Sequence, residues 1–198
     1  MIRLPLIAAA LTCCALALPA VAQSSQVERT QAEIALEQAK TTLATQRAAR
    51  EAANTACAAQ DYAACVTAGD SYRKGTGGEQ DYKLALKAYD RACIGGNGEG
   101  CASQAYLTVL GRGVDADPAK ARKLYKQSCD LGEVSGCGGY GNMLFTGTGG
   151  PKNVHEGTQV LQDACNREYK WACDRLDELG AYDPNSLAYD RLKDLRGG

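Results

Sequence analysis

The sequence predicts an all-α protein, an α/α solenoid of 36-residue repeats, from three observations that share one period. Eight cysteines form four pairs with eight residues from one Cys to the next, and each pair follows the last after 36 residues. The residue before each second Cys is small, and a glycine stands ten residues after the second Cys in three of the four units. A period of 20–50 residues is the signature of stacked supersecondary units. The pairs are Cys57 and Cys65, Cys93 and Cys101, Cys129 and Cys137, and Cys165 and Cys173.

Residues 1–22 have the features of a cleaved secretory signal peptide. Arg3 supplies the positive charge, Leu4 to Leu18 form a short apolar run, and Ala20-Val21-Ala22 is a small-x-small cleavage site. The apolar run contains Pro5 and is short for a membrane-spanning helix, which needs about 20 residues. Cys13 and Cys14 lack the preceding small residue of a lipoprotein site, so we expect simple export without a retained membrane span. The sequence therefore predicts a periplasmic or secreted protein.

Residues 23–56 are predicted to form one long N-terminal capping helix, because this stretch contains neither Pro nor Gly. A repeat array needs such a lid with a polar outer side. The heptad spacings Val27 to Ile34 and Leu36 to Leu43 leave an alternative open, in which residues 26–56 form a short coiled-coil dimer.

The array is predicted over residues 57–180, with two kinds of helix in alternation. Asp81, Asp117 and Asn153 fit N-caps, and glycines such as Gly75 fit the left-handed position after a helix. First-type helices, which carry the second Cys of each pair, are expected at about 61–74, 97–110, 133–146 and 169–180. Second-type helices, which carry the first Cys, are expected at about 81–94, 117–130 and 153–166. Residues 181–198 are predicted to close the array with a C-terminal capping helix at about 184–196 and a short tail.

The repeat resembles the Sel1-like (TPR-like) repeats, and the Cys-x7-Cys spacing resembles the Helicobacter cysteine-rich proteins within that family. Local matches are Lys83 to Cys93 and Lys120 to Gly132, and the resemblance covers roughly residues 57–180. The fourth unit departs from the pattern, since Asn166 to Trp171 replaces the Gly-rich turn.

Export places the eight repeat cysteines in an oxidising compartment, where disulfides persist. Eight cysteines allow 105 pairings, which sequence alone does not normally resolve. A pairing that is the same in every unit and joins nearest partners gives Cys57–Cys65, Cys93–Cys101, Cys129–Cys137 and Cys165–Cys173, one disulfide per helix junction.

Composition argues against several functional classes. Lys and Arg total 22 against 23 Asp and Glu, so no basic stripe suggests nucleic-acid binding. His155 is the single histidine and no Cys-x-x-Cys exists, so zinc knuckles, thioredoxin-like motifs and c-type haem attachment have no candidate. We expect no metal, no cofactor and no catalytic residue.

The predicted function is an exported scaffold that binds a protein or peptide partner on the concave face formed by the first-type helices. Two positions of this face vary between units, and we expect them to carry recognition. The candidates are Asp70, Tyr106 and Asn142 at one position and Arg73 and Phe145 at the other.

An alternative comes from the resemblance, because the cysteine-rich relatives include proteins described as penicillin-binding or weakly β-lactamase-like. That resemblance implies binding of β-lactams or peptidoglycan-related compounds, or weak hydrolysis of β-lactams. Ser71-Tyr72-Arg73-Lys74 spells the S-x-x-K nucleophile motif, but its S-D-N and K-T-G companions are missing. The equivalent positions of Ser71 hold Leu107 and Met143, which indicates a packing position.

Overall fold

A computed structural model describes residues 20–181 of the chain. The predicted closing helix, and all but the last three residues of the predicted signal segment, lie outside this part. The described residues form eight helices and no strand: α1 (Ala20–Ala58), α2 (Tyr62–Lys74), α3 (Tyr82–Ile94), α4 (Gly98–Leu110), α5 (Pro118–Asp130), α6 (Val134–Thr146), α7 (Val154–Asn166) and α8 (Lys170–Glu178). The predicted all-α repeat fold, with alternating first-type (α2, α4, α6, α8) and second-type (α3, α5, α7) helices, is confirmed. Among the described helices none has the length and apolar character that crossing a membrane requires.

Helix α1 extends without interruption through the boundary between two compact units, Met1–Thr42 and Leu43–Gly198. In the first unit, the described side chains from Thr30 to Thr42 are all exposed. In the second unit, residues 46–58 stand one repeat period before α3 and supply a second-type helix. Its Cys57 is bonded to Cys65 of α2. The last third of α1 therefore occupies the second-type position of the first repeat.

Side-chain caps and left-handed glycines set the helix bounds. Asp61, Asp81, Asn97, Asp117 and Asn153 each accept a hydrogen bond from a backbone N–H in the first turn of the following helix. Gly75, Gly111 and Gly147 end the first-type helices with φ of 74°, 66° and 80°. A side chain is strained at such φ values, which explains why glycine recurs there.

The turn before α8 keeps the repeat geometry although its sequence departs from the pattern. Glu168 has φ of 67°, and it stands where Gly96 and Gly132 have φ of 84° and 88°. Gln60 holds the same position in the first turn, with φ of 69°. Tertiary packing therefore imposes the left-handed turn on two residues that do not favour it.

Helices pack in sequence, each against the next, and the first-type helices also contact one another, α2 with α4, α4 with α6 and α6 with α8. Small side chains permit these approaches. Gly100 of α4 lies against Ala92 of α3, where an added Cβ would collide with the Ala92 methyl group. This contact explains why glycine precedes the second Cys in this unit.

Four disulfides join each second-type helix to the first-type helix that follows, with Cα–Cα distances between 4.4 and 4.8 Å. Seven of their eight cysteines are buried, the exception being Cys129. The bridges therefore form part of the core of the array.

Candidate functional site

A groove of about 280 Å³ lies across the first-type helices and is lined mainly by polar and aromatic side chains. Arg73 comes from α2, Tyr106 from α4, Ser135 from α6 and Tyr169 from the N-cap of α8, so the lining residues come from all four units. Its remaining lining residues are Ala102, Ser103, Tyr125 and Tyr169. Tyr106 is 44% exposed, which leaves its ring available to a ligand.

Tyr125 packs differently from the equivalent tyrosine of the preceding unit, because the small residues on the two flanking helices differ. Tyr89 stands one period before Tyr125 and packs against Gly69 of the preceding first-type helix, where a Cβ would lie 2.5 Å from its ring. For Tyr125 the residue equivalent to Gly69 is Ala105, which closes that space. Its ring packs instead against Gly139 of the following helix, where a Cβ would also lie 2.5 Å from it. The two equivalent tyrosines therefore pack against different helices, Tyr89 against the preceding first-type helix and Tyr125 against the following one, and Tyr125 is the one whose side chain lines the groove.

Arg73 is fixed at one end of the groove by a small polar network. The hydroxyl of Tyr89 donates to Asp70 Oδ1 at 2.6 Å, and Arg73 Nη2 donates to the same oxygen at 3.2 Å. Arg73 Nε also donates to Tyr89 Oη at 3.2 Å, and Lys74 Nζ donates to Asp70 Oδ2 at 2.6 Å. The guanidinium is thus held in place before any ligand arrives.

The pKa shifts in this network follow from these bonds. Partial burial by itself raises the pKa of Asp70, but the hydrogen bonds from Lys74 and Tyr89 and the charge of Arg73 outweigh it, so the pKa of this carboxyl is lowered. Burial, and then the bond to Asp70, raise the pKa of Tyr89. The network accordingly holds an ionised Asp70 beneath a charged Arg73.

Tyr169 forms the other end of the groove. It stands at the N-cap of α8, where the other first-type helices have Asp61, Asn97 and Glu133, and it makes no capping hydrogen bond. Its ring lies 6.0 Å from that of Trp171, which is 43% exposed. In the fourth unit, the capping residue of the helix is thus replaced by an aromatic residue that lines the groove.

Glu133 gives this end of the groove a negative charge. Its Oε1 accepts from the backbone N–H of Ser135 at 3.1 Å and from the Ser135 hydroxyl at 2.8 Å. Burial, and then the nearby Glu133, raise the pKa of Tyr169. Burial also raises the pKa of Tyr125, with smaller contributions from Tyr169 and Tyr106. These tyrosines are neutral hydroxyl groups that can donate to a ligand.

The structure brings together two of the five candidate residues. Arg73 and Tyr106 line the groove, and Asp70 orients Arg73 from outside the lining. Asn142 Oδ1 accepts from Arg175 Nε at 2.7 Å, and Phe145 lies 5.8 Å beneath the ammonium of Lys152. Neither Asn142 nor Phe145 lines the groove.

Sequence reasoning missed Tyr125 and Tyr169 as lining residues. Tyr169 could have been recognised, because an aromatic residue replaces a capping residue within the fourth unit. The sequence indicates the role of Tyr125 more weakly. The helices on either side of Tyr89 have Gly69 and Ser103, whereas the equivalent positions around Tyr125 hold Ala105 and Gly139.

The S-x-x-K segment does not form a nucleophile with its base. Ser71 Oγ donates to the carbonyl oxygen of Thr67 at 3.0 Å, and Lys74 is bonded to Asp70. His155 is exposed at the start of α7. Among the side chains that the structure describes, no group of three His, Cys, Asp or Glu residues is arranged to hold a metal ion.

Comparison with known families identifies Sel1 repeats at residues 62–97, 102–133 and 135–159. No curated protein matches the sequence.

Among solved structures, a protective antigen of uropathogenic Escherichia coli displaying an SLR fold is 22% identical over 66% of this chain and 28% of that one, with a TM-score of 0.62. A Sel1 repeat protein from Oxalobacter formigenes is 23% identical over 64% of this chain and 50% of that one, with a TM-score of 0.60. Cysteine-rich protein B of Helicobacter pylori is 26% identical over 48% of this chain and 72% of that one, with a TM-score of 0.46. The chain spans half or less of the first two proteins, and these likenesses concern the fold.

Proposed function

Since this chain is a Sel1 repeat scaffold protein, we propose that it is exported and binds a peptide segment of a protein partner in the groove between Arg73 and Tyr169. The observation that carries the proposal is the groove itself, whose lining residues come from successive repeats. Repeat arrays bind partners on extended surfaces of this kind, and variation between units encodes the recognition.

The chemistry of the groove supports a peptide ligand. Tyrosine is enriched where proteins bind one another, because it combines a large apolar ring with a hydroxyl and loses little conformational entropy. The groove has Tyr106, Tyr125 and Tyr169, with an oriented Arg73 beside them. Aromatic and arginine side chains are also the commonest residues with large effects on binding energy.

Export is supported by the four disulfides and by the signal-like segment at residues 1–22. Disulfides of this kind persist in the periplasm or outside the cell and are rare in the cytosol. N-terminal sequencing of the protein recovered outside the cytoplasm tests this part. We expect the mature chain to begin at Gln23, and a chain confined to the cytoplasm with reduced cysteines would overturn the assignment.

Partner binding is tested by photo-crosslinking in cells of the native host. A photo-crosslinking phenylalanine analogue replaces Tyr106 in the groove and, as a control, Lys87 on the exposed face of α3. We expect a discrete crosslinked band from position 106 that is absent from position 87. Equal crosslinking from both positions, or none from position 106, would contradict a groove that binds a protein partner.

A further inference from the structure

We propose that the groove takes a proline-rich peptide segment in the polyproline II conformation, with an acidic residue of the peptide placed at Arg73. This inference rests on the proposed function and names the class of segment that the groove recognises. It is argued from the spacing of the repeats, from the hydrogen-bonding groups of the lining and from the charges at the two ends.

The spacing of the first-type helices matches the period of a polyproline II helix. The groove crosses α2, α4 and α6, and these first-type helices contact one another directly. Helices in direct contact have axes about 8–10 Å apart. A polyproline II helix has three residues per turn and rises ~3.1 Å per residue, so one turn advances roughly 9 Å. Peptide residues three apart are therefore separated by about the distance from one first-type helix to the next.

The lining provides what a polyproline II segment needs. Such a segment has no internal hydrogen bonds, and its prolines have carbonyl oxygens to satisfy but no N–H groups. The groove offers donors to those oxygens: the hydroxyls of Tyr106, Tyr125 and Tyr169 and the guanidinium of Arg73. Proline rings pack well on aromatic faces, and aromatic-lined grooves are the usual sites for proline-rich segments.

Two other modes of peptide recognition fit less well. Addition of a strand needs an exposed sheet edge, and residues 20–181 contain no strand. Binding of an amphipathic helix needs an apolar groove, whereas the one aliphatic lining residue here is Ala102. An extended ligand that lacks N–H donors is the better match to this lining.

The charges at the two ends set the direction of the peptide. Arg73 is positive at the α2 end, and Glu133, bonded to Ser135 of the lining and close to Tyr169, is negative toward the other end. An acidic side chain of the peptide pairs with Arg73, and a basic one near its other end pairs with Glu133. Complementary charges of this kind fix the register and direction of binding.

Trp171 is the single tryptophan of the chain and lies beside Tyr169, so its fluorescence reports on the groove. The probe is a capped peptide of about ten residues, with Pro-x-x-Pro-x-x-Pro between a Glu and a Lys, which spans ~30 Å as polyproline II. We expect a saturable change in Trp171 fluorescence, with matching heat in calorimetry. The same peptide with every Pro changed to Ala, or with Glu and Lys exchanged, is expected to bind at least about tenfold more weakly.

Two groove variants, Tyr106→Ala and Tyr169→Ala, are compared with Leu110→Ala, a control on the same helix as Tyr106 with similar exposure, 47% against 44%. We expect each groove variant to weaken binding about tenfold or more and the control to leave it unchanged. Circular dichroism verifies that all three remain folded.

A random peptide library, screened for binding that depends on Tyr106, distinguishes peptide binding in the groove from a preference for proline-rich peptides. Selected peptides that contain no proline, together with failure of the proline-rich probe, would overturn this inference and leave the proposed function standing. If no peptide binds in a way that depends on Tyr106, both fall.

Discussion

Gly69→Ala tests the packing that separates the buried tyrosine from the groove tyrosine. A methyl group at position 69 would lie 2.5 Å from Cε1 of Tyr89, well inside the ordinary contact distance of about 3.5–4.0 Å. The ring is fully buried, and its hydroxyl is bonded to Asp70 at 2.6 Å. The ring therefore cannot move away from the methyl group without losing that bond.

The magnitude follows from three opposing effects. Overpacking of a well-packed core destabilises by about 1–3 kcal/mol. Loss of a hydrogen bond to a charged group costs about 1.5–3 kcal/mol, and the lower end applies here because the Asp70 side chain is 33% exposed. Replacing glycine by alanine within a helix returns about 1 kcal/mol. We expect a net destabilisation of about 1.5–3.5 kcal/mol, which lowers Tm by roughly 3–14 °C for a chain of this size.

Urea unfolding of Gly69→Ala, alone and combined with Tyr89→Ala, gives the measurement. Without the ring the methyl group has room, so in the Tyr89→Ala background we expect Gly69→Ala to stabilise by up to about 1 kcal/mol. The effect of Gly69→Ala on stability is thus expected to change sign when the Tyr89 ring is removed. If Gly69→Ala alone is neutral or stabilising, as helix propensity by itself implies, the close packing of the Tyr89 ring on Gly69 is refuted.

Three further outcomes are expected. Because the folded pKa of Asp70 lies below its ordinary value near 3.8, its ionised form stabilises the fold above that pH, and the benefit is lost as pH falls through the folded pKa. The difference in unfolding free energy between wild type and Asp70→Asn should therefore be constant above about pH 5 and vanish at low pH, and a constant difference down to pH 2 would contradict this. Gln60 and Gly96 both have positive φ, and a Cβ at Gly96 would meet nothing within 4 Å, so backbone strain alone decides the effect of a substitution there. Gln60→Gly should therefore raise the unfolding free energy by up to ~1 kcal/mol, and Gly96→Ala should lower it by ~1 kcal/mol. No change in either variant would show that the left-handed turn is unstrained. Replacing Cys129 and Cys137 together by Ala should lower the urea-derived unfolding free energy by about 2.5 kcal/mol, from the loop entropy of an eight-residue closure, and an unchanged stability would contradict that account.

The period of the cysteines was sufficient to predict the fold. Caps such as Asp81 and Asp117, together with glycines such as Gly75, mark helix ends chemically, so the helix bounds followed within a residue or two. The turn at Glu168 could not be read in this way, because packing by neighbouring units imposes a φ that its side chain disfavours.

The site was less accessible to sequence than the fold. Asn142 and Phe145 were chosen because their positions vary between units, but variation does not reveal which way a side chain points. The direction of Tyr125 depends on whether Gly or Ala lies opposite it on two other helices, which is a tertiary property. Tyr106 was chosen for the same reason as Asn142 and Phe145, and its exposed ring does line the groove.

The short span of each bridge has a consequence for how the chain matures. Every disulfide closes after eight residues, and the glycine of each helix turn touches residues only about one repeat earlier, as Gly113 touches Tyr82. Such low contact order is typical of rapid folding, because contacts within a repeat and between neighbouring repeats do not wait for distant sequence. A chain that enters an oxidising compartment N-terminus first can thus oxidise and pack one repeat at a time, before its C-terminal residues have followed.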